Sequence, residues 1–114
     1  DIGLHYFILG TKQADMGHIL ENIVYLELIR RGYEVHIGKV GDAEVDFIAI
    51  GAEGEEYYQV SQTVLEEQTL KRELSSLDAI KDHNPKYLLT MDYTPLTSYN
   101  GIKQINVLEW LLKK

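Results

Sequence analysis

Between Gly32 and Gln62 the chain passes three times through a short alternation of apolar and polar residues, interrupted only by glycine-bearing turns. Tyr33, Val35 and Ile37 alternate with Glu34 and His36. After Gly41-Asp42, Val45, Phe47 and Ala49 alternate with Glu44, Asp46, Ile48 and Ile50. After Gly51–Glu56 comes Tyr57–Gln62. A period of two with turns at this spacing predicts an antiparallel meander of three strands. A second turn centred on Glu53-Gly54 would set Asp46 opposite Ser61, Ile48 opposite Gln59 and Ile50 opposite Tyr57. Opposed residues share a sheet face, so Asp46, Gln59 and Ser61 are expected on one side.

Helical patterns flank the meander. Asp15 is a candidate N-cap for a helix over about Met16 to Arg31, and Gly32 is a left-handed terminator. This helix is apolar over most of its girth. Glu27, Arg30 and Arg31 share one side, and His18, Glu21, Asn22 and Tyr25 make a second polar stripe. Two polar stripes between apolar ones predict a largely buried helix with one stripe turned to a cavity. Thr63–Glu66 fits a capping box for a helix reaching about Asp82, with Leu70, Leu74, Leu77 and Ile80 on one face and a Glu67–Lys71 pair. Asn84-Pro85 breaks it, and Lys86–Met91 is a strand of the buried kind.

Asp92 to Gly101 is expected as loop and Ile102–Ile105 as an edge strand. Asn106 caps a last helix through Trp110 and Leu112. The order α–β–β–β–α–β, then β–α, makes the third and fourth strands parallel across a right-handed crossover. The expected fold class is α/β, a mixed sheet flanked by helices. With 114 residues the chain is expected as one domain over 1–114: a lead-in segment at 1–14, then the core from 15 to 114. Beginning at Asp1 rather than Met, it reads as a piece of something longer.

Composition removes whole classes. A net charge of −7 argues against broad, sequence-independent binding to phosphate backbones. A local basic groove would draw on Arg30, Arg31, Lys71 and Arg72. The absence of cysteine excludes disulfide scaffolds and zinc-thiolate sites. No apolar run reaches about 18 residues, and no basic-then-apolar leader is seen, so a cytoplasmic protein without membrane contact is expected. Gly10-Thr11-Lys12 is not a P-loop, and there is no G-x-S-x-G elbow.

The strand order and the local words together resemble the PD-(D/E)xK, or restriction-endonuclease-like, family. Glu21 sits mid-helix, Asp46 stands in Glu44-Val-Asp-Phe47, and Gln59-Val-Ser61 occupies the third strand. The words DIGL at 1–4, GHILENIVYLELIRRGYEV at 17–35, AEVDFIA at 43–49, YYQVSQ at 57–62, KDHNPKYLLTMD at 81–92 and GIKQINVLEWL at 101–111 are similar to one subgroup. That subgroup is the C-terminal domain of unknown function of a bacterial and archaeal P-loop ATPase family. The resemblance implies that Glu21 and Asp46 stand where the family holds Mg²⁺, with ATP and Mg²⁺ bound by a separate upstream ATPase domain.

Mg²⁺ prefers carboxylate and water oxygens, and the family lysine adds a point charge beside the attacking water. Here Ser61 holds the lysine position and Gln59 replaces a carboxylate. Losing one preorganised electrostatic contact costs about 10²–10³ in rate. The resemblance therefore implies a degenerate, non-cutting nuclease fold serving protein or weak nucleic-acid contacts. Two alternatives stay open. One is a live Mg²⁺-dependent DNA nuclease using Glu21 and Asp46, with Lys71 or Arg72 relocated into the lysine role. The other is a structural domain forming a homo-oligomer through an apolar sheet edge or the Trp110 helix.

Overall fold

The computed structural model describes residues 13–93 and 97–113; residues 1–12 of the expected lead-in segment lie outside them. Helix α1 spans Gln13–Arg30, so Asp15 lies inside the first turn rather than capping it. Gly32 ends the helix as expected, with φ +94°. Its N–H donates to the Ile29 carbonyl and the Tyr33 N–H to that of Leu28, a Schellman arrangement that satisfies two otherwise orphaned carbonyls.

Strands β1 (Glu34–Val40), β2 (Ala43–Gly51) and β3 (Gly54–Val60) form the antiparallel meander. Gly51 pairs with Gly54, so the turn is the tight Ala52-Glu53 pair rather than Glu53-Gly54. The real register sets Ile48 against Tyr57 and Ile50 against Glu55. The slip from the expected pairing is two residues, and an even slip keeps β2 from Phe47 to Gly51 on its expected faces against β3. Ser61 and Gln62 lie just past the end of β3.

Helix α2 covers Glu67–Asp78, shorter than expected at both ends, and Glu66 at its N-cap makes no side-chain bond. The expected capping box is therefore corrected. The Thr63 hydroxyl donates to Asp92 at 2.6 Å and accepts from Leu65 N–H at 3.2 Å, but the helix begins only at Glu67, so this bond caps no helical turn. Strand β4 (Lys86–Thr90) then pairs parallel to β3, as the crossover requires.

The expected loop over 92–101 contains a further strand, β5 (Thr97–Tyr99), joined to β6 (Ile102–Asn106) through Asn100 and Gly101 at φ 51° and 87°. Both central residues at positive φ make a mirror-image hairpin turn, for which Asn-Gly is the preferred pair. Strand β6 is consequently not an edge strand: it pairs parallel to β4 on one side and antiparallel to β5 on the other. The six strands run in the order β1-β2-β3-β4-β6-β5. Helix α3 (Val107–Leu112) starts where expected, the Asn106 side chain accepting from Leu108 N–H and Glu109 N–H.

One core lies between the sheet and α1 with α3, and includes Leu20, Val24, Leu28, Phe47, Tyr58, Leu89 and Trp110. The other lies under α2 and includes Val45, Tyr57, Leu77, Ile80, Leu88 and Ile102. Trp110 is only 4% exposed, so its ring offers no surface for the self-association considered above. Arg31 lies over that ring at 4.4 Å and donates through Nη2 to the carbonyls of Trp110 and Lys113, both at 2.7 Å. No described helix is long and apolar enough to cross a membrane.

Buried Asp92 ties the parallel strands together at their C-terminal ends. Its carboxylate accepts from the Thr63 hydroxyl and from Val64 N–H at 2.9 Å, while its backbone carbonyl accepts from Asn106 Nδ2 at 3.2 Å. Asp92→Ala strands two donors with little access to water, an expected loss of about 2–4 kcal/mol. Urea unfolding should show a lower midpoint at unchanged slope.

Candidate functional site

Asp46 owes its position to a bulge. His36 pairs with Ile48 and Gly38 with Val45, which leaves Ile37 alone across from both Asp46 and Phe47. The extra residue reverses the facing of β2. Ala43 and Val45 enter the core under α2, whereas Phe47 and Ala49 enter the core under α1. Bulges re-aim side chains in this way, and here Asp46 comes to lie between the two helical layers.

At the same place side chains replace backbone pairing between β2 and β3. Asp46 N–H donates to Gln59 Oε1 at 2.6 Å, and Val60 N–H donates to Asp46 Oδ2 at 2.8 Å. Gln59 is buried and engaged at both ends of its amide, since its Nε2 donates to Glu73 Oε2 at 2.9 Å. Glu73 comes from α2. It is half-buried, and burial raises its carboxyl, opposed by Arg72 and by the Gln59 bond.

The structure thus brings Glu21, Asp46 and Gln59 into one neighbourhood. Burial raises the Asp46 carboxyl, the Val60 N–H works against that rise, and Glu21 and Glu73 push it further, to about 6. The second polar stripe of α1 does therefore turn inward at Glu21, which also lies 3.7 Å from His18 Nδ1. Ser61 is turned to a different partner; its hydroxyl donates to the Thr63 carbonyl at 3.1 Å. An open cleft of about 510 Å³ leads to Asp46, lined by Ile37, Lys39, Gln59, Arg72 and Glu73 among others. Among the described residues, no group of three or more His, Asp or Glu side chains is arranged to hold a metal ion.

Glu73 was not singled out from the sequence. It lies three residues after Leu70 and four before Leu77, on the border of the apolar stripe. A glutamate at such a border was the available signal.

The four basic residues do not form a patch. Glu27 accepts from Arg30 Nε and Nη2 at 2.8 and 2.7 Å and from Arg31 Nε at 2.7 Å, and the Arg30 bond leads in holding its carboxyl down at about 2. Arg30 stands nine residues along α1 from Glu21, about 14 Å at helical rise. Lys71 pairs with Glu67 at 3.1 Å on the open face of α2. Arg72 alone of the four lines the Asp46 cleft.

The chain is 42% identical over 113 residues to an uncharacterized protein of Haemophilus influenzae, a match covering 99% of this chain. It spans only 28% of that relative's length. No family model and no solved structure matches the chain.

The raised Asp46 carboxyl has a stability signature of definite sign. Its unfolded value lies near 3.8, so between that pH and about 6 the folded state holds a proton the unfolded chain has released. The resulting stabilisation is full below the lower value and is lost as pH rises through the upper one. Asp46→Asn keeps an acceptor for Val60 N–H and removes the charge. It should be more stable than the wild type near pH 7.5 by about 1–2 kcal/mol, discounted for partial exposure, and lose that advantage near pH 4. A urea titration at both pH values reads the difference, and a pH-independent gap would refute the assignment.

Proposed function

We propose that the chain is a restriction-endonuclease-like accessory domain of a cytoplasmic P-loop ATPase. In this reading it keeps a nuclease fold without the cutting chemistry and serves protein contacts. The observation that carries the reading is the use of Gln59: both ends of its amide are engaged, one by the Asp46 backbone and one by Glu73. The residue in the place of a metal ligand works as a structural tie.

The donor set supports the same reading. Asp46 Oδ2 is engaged by Val60 N–H, and Ser61 supplies no charge where a cationic side chain would assist an attacking water. Its immediate charged neighbours, Glu21 and Glu73, are both acidic. In this reading the domain takes no metal of its own, and ATP and Mg²⁺ belong to the ATPase region. The strand order and parallel β3–β4 crossover support the nuclease-like architecture. The short share of the Haemophilus relative supports a module within a larger protein. Protein contacts are favoured over DNA because Arg30, Arg31 and Lys71 are held by Glu27 and Glu67 and the chain carries a net charge of −7.

One observation favours the rival reading of a live nuclease: Arg72 lines the cleft that leads to Asp46. Nicking of supercoiled plasmid with Mg²⁺ or Mn²⁺, together with Mn²⁺ broadening of amide signals, separates the two. The proposal expects no nicking and diffuse broadening over acidic loops such as Gly51–Glu56. Metal-dependent nicking that vanishes in both Asp46→Ala and Arg72→Ala would establish the rival.

A further inference from the structure

Helix α1 has a second apolar face that the other described residues leave exposed. Leu20, Val24 and Leu28 are fully buried against the sheet, while on the opposite side Leu26 is 64% and Ile29 45% exposed. Ile19, Asn22, Leu26 and Ile29 follow one another at steps of three, four and three, with Asp15 four residues before them. That is the a/d spacing of a two-helix seam, the pattern by which one straight helix meets another along its length. The seam is acidic at its start, where Asp15 is exposed, and basic at its end, where Arg30 is exposed.

We propose that this face of α1 docks against α1 of a second copy of the chain, antiparallel, across a two-fold axis near the middle of the helix. Reversing one copy sets Ile19 against Ile29 of the other and Asn22 against Leu26. It also brings Asp15 of each copy to the Arg30 end of its partner, where Glu27 engages Nε and Nη2 of a guanidinium whose side chain stays 64% exposed, whereas a parallel pair would oppose Asp15 to Asp15. The face is self-complementary in charge, which favours an isologous interface. Helix α1 has 18 residues, about 27 Å at 1.5 Å per residue. A single seam of that length buries less than the roughly 1,200 Å² of a standard stable interface. The dimer is accordingly weak and concentration-dependent.

The test is sedimentation equilibrium of the full chain over a wide concentration range, with circular dichroism to confirm folding. The wild type should show a reversible monomer–dimer equilibrium, and Leu26→Glu, at an exposed position, should stay folded and become monomeric. Asp15→Arg should weaken association about tenfold, and adding Arg30→Asp should recover most of that loss. A wild type that stays monomeric at millimolar concentration overturns the proposal. So does a dimer indifferent to Leu26→Glu, which uses another surface. A charge reversal that Arg30→Asp does not rescue overturns the antiparallel arrangement. Nuclear Overhauser contacts in a monomer between residues 1–12 and Leu26 would assign the face to the chain's own N-terminal segment instead.

Discussion

The fold depends on one constraint: β3 and β4 are buried on both faces. Tyr57 and Tyr58 are neighbours in sequence, and each is almost wholly enclosed, one in each core; Leu88 and Leu89 repeat the pattern across the strand pair. Such a pair has no solvent face, so helices must cover it on both sides. Helix α2 covers one side because it is the crossover that makes β3 and β4 parallel. Helices α1 and α3 cover the other. The phenol hydroxyls are then tied at the rim, Tyr58 donating to Glu56 and Tyr57 to Asp82, both at 2.6 Å. Burial with these carboxylates pushes both phenols upward, and they act as neutral donors throughout the physiological range.

Local chemistry explains which elements were legible in the sequence. Gly32, the meander, the α2 stripe, the crossover and the Asn106 cap are each written within a few neighbouring residues, and each is found in place. The capping box failed because Thr63 and Val64 are both tied to the buried carboxylate of Asp92, 29 and 28 residues away and invisible to a local rule, and the helix starts only at Glu67. Strand β5 was missed although Asn100-Gly101 announces a hairpin, because Pro95 and the surrounding polar residues read as loop. That omission also displaced β6 to the sheet edge.

The candidate site was legible in its membership more than in its geometry. Parity correctly placed Asp46 and Gln59 together, and it survived a wrong turn because the slip was even. Alternation along β2 concealed the bulge, since Val45 and Phe47 are both apolar whichever face they enter. Without the bulge Asp46 has no route to contact both helical layers. Glu73 depends on the way α2 lies across the sheet, and no single helix pattern contains that information. The basic residues illustrate the converse: three of the four look available as residue types, and their partners, Glu27 and Glu67, lie only three or four positions away.

The bulge has an effect on a different part of the molecule as well. Among the described residues β1 is an outer strand of the sheet, seven residues long, with one line of backbone donors and acceptors left without a neighbouring strand. A flat strand of that kind is a template for indiscriminate strand addition by other chains. Here the pairing is dislocated between His36 and Gly38, Gly38 takes a φ of +131°, and Glu34, His36 and Lys39 are exposed along the strand. The kink that delivers Asp46 to its cleft therefore also spoils the molecule's most extended outer strand as a seed for aggregation.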